Sequence, residues 1–289
     1  MKSFSEYNPI TVALWYAAVI LPAMFILHPA LTALSIVGSV LLHTVRTKSL
    51  RGNLIYFILF FAIALLNPFF YHNGVTILFF VNDNPITLEA LLYGFTASAM
   101  IISVIYWFRS FSAMMTSDRL LYVFGSASPK LALILSMALR YVPLFSLQIK
   151  KVNDSQKALG LYREDNAIDA LRGRVRVFSI LVTWALENGV TTADSMTARG
   201  YGVGRRTYFS IYRFTRSDRI LLAVTLILEG LLLAGAALDA LKFSFYPAMT
   251  GTWSPMTAVS LAAYTALALL PTIHRVTEEF AWKRLLSRV

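Results

Sequence analysis

"ITVALWYAAVILPAMFILHPALTALSIVGSVLLHTV", residues 10 to 45, contains no Asp, Glu, Lys or Arg. About 20 apolar helical residues cross a hydrocarbon core roughly 30 Å thick, so this run is too long for a single pass. The His28-Pro29 pair in "LHPAL" offers a turn in its middle, and two short spans result. Working outward, similar runs extend from Leu54 to Tyr71, Thr87 to Phe108, Ile220 to Leu238 and Pro255 to Ile273. The sequence therefore predicts an all-α integral membrane protein with about six transmembrane helices. Composition agrees: 57% of the 289 residues are hydrophobic and only 14% charged, against roughly 25% charged in a soluble domain. The chain has no cysteine, which excludes a disulfide framework and thiolate chemistry.

The charge distribution tests the span count. With a cytoplasmic N-terminus, six spans put every Lys and Arg but Lys242, out of 26, on the cytoplasmic side. This is the asymmetry of the positive-inside rule, and both termini are expected in the cytoplasm. It also accounts for the net charge of +11 without nucleic acid as a partner. The opening "MKSFSEYNP" lacks a small-residue cleavage site, so the first span is read as retained. Three regions follow: N-terminal transmembrane helices over residues 1–108, a basic cytoplasmic domain over 109–217, and C-terminal transmembrane helices with a cytoplasmic tail over 218–289.

The basic middle is too apolar to be a solvated loop. Pro129 suits the first turn of a helix, in which "KLALILSMALRYVPLF" gives way to "SLQIKKVNDSQKALG". Val142, Phe145, Ile149, Val152 and Leu159 keep helical spacing opposite Lys150, Lys151, Asp154 and Lys157, as in an amphipathic helix at the cytoplasmic surface; the alternative, a seventh span in its first half, would put Arg140 in the membrane and Lys130 and Lys150 on opposite sides. A second helix is expected from about Asn166 to Arg199. Its apolar stripe runs through Ile168, Leu171, Val175, Phe178, Val182, Ala185, Gly189, Ala193 and Met196, with Asp169, Arg172, Arg176, Glu187 and Asp194 opposite. The two helices can bury these stripes on one another or offer them to another membrane protein. Gly189 would let another helix approach closely.

"ADSMTARGYGVGRRT", residues 193 to 207, ends the second helix. Gly200 stands where a glycine stop belongs, and Arg199 beside the last carbonyls gains from the helix dipole. A guanidinium on a rigid helix tip, between Ala198 and Gly200, also suits docking into an acidic groove of another protein. The two roles are compatible.

Enzymatic signatures are missing. Gly200, Gly202 and Gly204 before Arg205, Arg206 and Thr207 do not have phosphate-loop spacing. His28, His43, His72 and His274 stand apart near span ends, which suits membrane-interface residues better than metal ligands. Glu229, within "LILEGLLL", is the deepest intramembrane acid. It is read as a polar contact to a neighbouring helix or partner, or as part of a transport path. Asn67-Pro68 and Asn84-Pro85 read as turns at the outer end of a hairpin.

Four stretches, "LLNPFFYHNGVTILFF", "TSDRLLYVFGSASPKLALILSMALRYVPLF", "SQKALGLY" and "WALENGVTTADSMTARGYGVGRRT", together resemble the transmembrane T component of energy-coupling factor transporters. This family includes the cobalt-transport permease CbiQ. The resemblance implies a non-catalytic subunit of an ATP-driven importer in the prokaryotic plasma membrane. Two cassette ATPases, which bind the ATP and Mg, would dock on the cytoplasmic side, and this chain would hold no cofactor of its own. A small membrane S component would bind the vitamin or transition metal, such as cobalt or nickel, and topple to release it inward.

Family-type Ala-Arg-Gly motifs map onto Ala198, Arg199 and Gly200 and, with a departure, onto Ala158, Leu159 and Gly160. Leu159 stands where the family has arginine; Lys157 or Arg163 could supply a nearby cation, or docking there is apolar. Leu135, Leu139, Val142, Phe145, Phe178 and Val182 are the expected contacts to the S component. The alternative readings are a self-sufficient secondary carrier, which would move substrate alone, and a membrane-embedded enzyme, which would need a His and acid cluster at one membrane face.

Overall fold

The computed structural model describes residues 4–47, 53–70, 74–81, 84–161, 167–204, 212–251 and 253–286. His72, Arg163, Arg205, Arg206 and Thr207, named above, lie outside the described residues. The helices are α1 (Pro9–Phe25), α2 (Pro29–Thr47), α3 (Leu54–Phe70), α4 (Leu88–Met114), α5 (Ser117–Ala127), α6 (Pro129–Ala158), α7 (Ala167–Ala198), α8 (Arg216–Ala237) and α9 (Pro255–Leu286). Two small antiparallel pairs join them, β1 (Ile77–Val81) with β2 (Asn84–Thr87), and β3 (Phe243–Ser244) with β4 (Thr250–Gly251).

Each of the six sequence-predicted spans has its helix, and the break at His28 separates α1 from α2. Helices α2, α4, α6, α8 and α9 are long and apolar enough to cross a membrane, whereas α1 and α3, at 17 residues each, are shorter apolar helices. Length and composition thus place α6 among the candidate spans, although the charge pattern pointed to a surface helix. Pro22, Pro68 and Pro271 lie inside α1, α3 and α9. Asn67-Pro68 is therefore not a turn but part of α3, because neighbouring helices in a bundle can satisfy the backbone groups that a proline frees. Asn84-Pro85 opens β2.

The chain divides into two compact units, Met1–Val123 with Tyr212–Val289, and Phe124–Ile211. In the first, aromatic side chains fill the middle. Trp15 and Trp107 meet edge to face at 5.8 Å, and Tyr16 packs against Trp15 at 4.7 Å. Such edge-to-face pairs add about 1 kcal/mol beyond the area they bury. Their polar ends find partners: Trp107 Nε1 donates to Ser35 Oγ (3.1 Å), and Tyr264 Oη donates to the Val19 carbonyl (3.3 Å).

Small residues set the helix spacing. A Cβ on Gly94 of α4 would stand 2.5 Å from the Ala64 carbonyl oxygen of α3, and one on Gly38 of α2 would stand 2.9 Å from the Ala268 Cβ of α9. Without a hydrophobic drive between helices in lipid, such close approaches supply the attraction. The fully buried Asp218 carboxylate fixes the start of α8 to the start of α1, accepting from the Asn8 N–H (2.7 Å) and the Thr215 N–H (2.8 Å).

The second unit is built mainly from α6 and α7. Tyr141 Oη and Thr192 Oγ1 are hydrogen-bonded at 3.2 Å, the Phe145 and Trp184 rings meet at 5.7 Å, and Val177 and Leu181 are buried.

Candidate functional site

Helices α6 and α7 end in the same backbone arrangement. At the end of α6, Gly160 takes φ +64°, its N–H donates to the Lys157 carbonyl (3.0 Å), and the Leu161 N–H donates to the Gln156 carbonyl (3.2 Å). At the end of α7, Gly200 takes φ +80°, its N–H donates to the Thr197 carbonyl (3.0 Å), and the Tyr201 N–H donates to the Met196 carbonyl (3.0 Å). Both are Schellman stops, in which a left-handed glycine turns two N–H groups back onto otherwise unpaired carbonyls. Glycine is needed for the backbone and not for room, since a Cβ at either position would meet nothing within 4 Å.

The residue before each glycine sits at the helix tip. Leu159 is 70% exposed and Arg199 is exposed. Because backbone N–H groups already satisfy carbonyls of the last turn, the Arg199 guanidinium is not needed as a hydrogen-bonding cap. Its side chain has no hydrogen-bond or ion-pair partner among the described residues. All five of its donors remain available. Ala158 and Ala198 on one side and the bare glycines on the other leave both tips sterically open.

The faces of α7 differ from the sequence expectation. The more buried face of α7 carries Val177, Leu181, Trp184, Asn188 and Thr192, spaced by four, three, four and four residues, and Trp184 and Thr192 on it meet α6. The predicted stripe lies elsewhere. Ile168, Leu171, Val175, Phe178 and Val182 are exposed by 60, 63, 60, 67 and 42%, and Leu186 and Val190 extend this surface. The predicted stripes are therefore not buried on one another. Helix α7 is apolar on two sides, and the less uniformly apolar one packs because its polar members find partners. Gly189 lies on the open side, where a Cβ would meet nothing within 4 Å among the described residues.

Of the six expected S-component contacts, Leu139, Val142, Phe178 and Val182 are exposed and Leu135 is half-buried. Phe145 instead faces Trp184 within the α6 and α7 packing. Sequence reading missed two residues that hold the tip of α6. Arg176, assigned to the solvent face, reaches the Gln156 Oε1 and the Leu161 carbonyl with its Nη1, at 3.5 Å each, and Gln156 is buried. A lone glutamine among lysines gives no periodic signal, so hydropathy could not have found it.

Glu229 lies on α8 beside a groove of about 180 Å³ whose wall also includes Thr11, Leu14 and Leu226. Its Oε2 and the Thr11 Oγ1 are buried with no hydrogen-bond partner among the described residues. The described histidines are placed apart: His28 stacks edge to face with Phe243, His43 approaches Thr47, and His274 contacts Tyr7 and Glu278.

No family model matches the chain. It is similar to the energy-coupling factor transporter transmembrane protein EcfT of Lacticaseibacillus paracasei, with 35% identity over 106 residues, 36% of this chain and 40% of that protein. The EcfT proteins of Listeria innocua (32% over 105 residues, 36% of this chain and 40% of that protein) and Lactobacillus helveticus (29% over 115 residues, 39% and 42%) are similar too. The matched part spans about two fifths of the length of these curated relatives. The likenesses support the T component family of energy-coupling factor transporters.

Proposed function

We propose that this multi-pass membrane protein, as the T component of an energy-coupling factor transporter, carries the work of cassette ATPases to a separate substrate-binding membrane subunit. Two ATPases dock on the tips Ala158-Leu159-Gly160 and Ala198-Arg199-Gly200, the second through the Arg199 guanidinium and the first through an apolar contact. The S component rests on the open apolar faces of α6 and α7, around Leu139, Val142, Phe178 and Val182. It selects the vitamin or transition metal. The chain itself performs no catalytic step; ATP and Mg are held by the ATPases. It works in the prokaryotic plasma membrane with both termini in the cytoplasm and residues 109–217 as its coupling domain.

The observation that carries this reading is the repeated helix end: two long helices stop at glycines that leave the preceding side chain exposed and unengaged. A rigid tip loses little conformational freedom on binding, which favours a docking role. A surface that must let its partner move is better apolar and broad than fixed by ion pairs, and the open face of α7 has that character.

The test is to purify the tagged protein from its own host in mild detergent and identify what accompanies it, beside Arg199→Ala. Cassette ATPases with the wild type, and fewer with the variant, are the expected result. Purification without any ATPase, together with substrate uptake by this chain alone, would overturn the reading in favour of a secondary carrier.

A further inference from the structure

The ends of α2 and α4, the start of α5 and the second half of α9 enclose a cavity of about 560 Å³. Arg46, Arg119 and Arg275 reach it from three different helices, together with Glu278 and Glu279. Its floor is apolar, formed by the buried side chains of Phe4, Leu42 and Met114. Arg46 donates through Nη1 to the Ser110 carbonyl (3.1 Å) and through Nη2 to the Ala113 carbonyl (2.7 Å), and Arg119 donates to the Met114 carbonyl (3.1 Å). The last carbonyls of α4 thus hold two guanidinium groups in place at a membrane end. Arg275 has no hydrogen-bond or ion-pair partner among the described residues, while Glu278 is turned toward His274 at 3.4 Å. Three arginines against two carboxylates leave the cavity with an excess of positive charge, which favours an anion.

We propose that this cavity binds the phosphate of an acidic phospholipid. Guanidinium forks match phosphate oxygens in pairs, and basic pockets between membrane helices are where acidic headgroups settle. The arginines outnumber the carboxylates, which favours a net negative headgroup over a zwitterionic one. Leu41 and Phe108, within two turns of the ends of α2 and α4 that line the cavity, are exposed by 41 and 50% and offer acyl chains an apolar path. The site lies wholly in the first compact unit and does not depend on the docking of ATPases.

The test uses the full chain in detergent, titrated with dihexanoyl phosphatidylglycerol, dihexanoyl phosphatidylcholine or glycerol 3-phosphate while thermal unfolding is followed. Phosphatidylglycerol is expected to raise Tm by about 3 °C or more, with the other two well below it. Arg275→Gln is expected to weaken the response about tenfold, and Arg275→Lys, which keeps the charge but loses the fork, to weaken it less. Thr116→Glu, at the exposed rim of the cavity, adds a repelling charge away from the packed core and should weaken it as well. An equal shift with phosphatidylcholine overturns the proposal. So does an equal shift with glycerol 3-phosphate, which would make the ligand a soluble anion, or an unchanged response in both Arg275→Gln and Thr116→Glu.

Discussion

The tips of α6 and α7 share one backbone turn and differ in the side chain that precedes the glycine. Both stop at a left-handed glycine with the same two backbone hydrogen bonds, yet one presents Leu159 and the other Arg199. Helix termination and surface chemistry are therefore separable here: the glycine ends the helix, and the residue before it is free to be chosen for a partner. Two unlike tips on one scaffold suit two unlike acceptors. An apolar tip loses little on leaving water, whereas a guanidinium must find an acid to offset its desolvation.

The largest expected effect follows from that asymmetry. Truncating one partner of a desolvated charge pair costs about 2–5 kcal/mol, so Arg199→Ala should lower ATPase recovery and transport by about tenfold or more. Leu159→Ala removes only apolar contact, worth about 1–3 kcal/mol at most, and should cost less. Copurification and uptake assays on the two variants decide it; equal losses, or a greater loss at Leu159, would break the comparison.

The two sides of α7 give the next effect. Leu181 is buried toward α6 and Phe178, one turn back, is 67% exposed. Leu181→Ala should destabilise the α6 and α7 pair by about 2–4 kcal/mol, visible as a lower Tm with or without partners. Phe178→Asp should leave the isolated chain's Tm nearly unchanged and weaken retention of the S component. If Phe178→Asp lowers Tm as much as Leu181→Ala does, the open face is structural and the assignment of a partner surface fails.

The parts of this design visible in sequence were those written by charge and by glycine. Apolar runs with few charges placed six helices, and Gly200 placed the end of α7, because membrane burial and positive φ each exclude most residue types. The packing face of α7 was not visible. Two apolar sides compete there, and the choice rests on Tyr141 with Thr192 and Gln156 with Arg176, polar pairs from separate helices that no periodicity links. The short β1 and β2 pair was hidden for a related reason, since "ILFFV" in a membrane protein reads equally as part of a helix.

Glycine substitution separates backbone from chemistry most finely. Alanine at φ +64° or +80° meets no atom within 4 Å, so Gly160→Ala and Gly200→Ala each carry only the conformational cost, about 1–2 kcal/mol. The intrinsic penalties should be nearly equal, and the Tm of the isolated chain should fall by a similar small amount in both. Function should not follow Tm. A frayed last turn lets Arg199 swing away from a fixed direction, and a directional fork needs that direction, whereas an apolar contact at Leu159 tolerates displacement. Gly200→Ala should therefore reduce ATPase recovery more than Gly160→Ala does at matched stability, and equal recovery would mean that the guanidinium docks without being aimed by its helix.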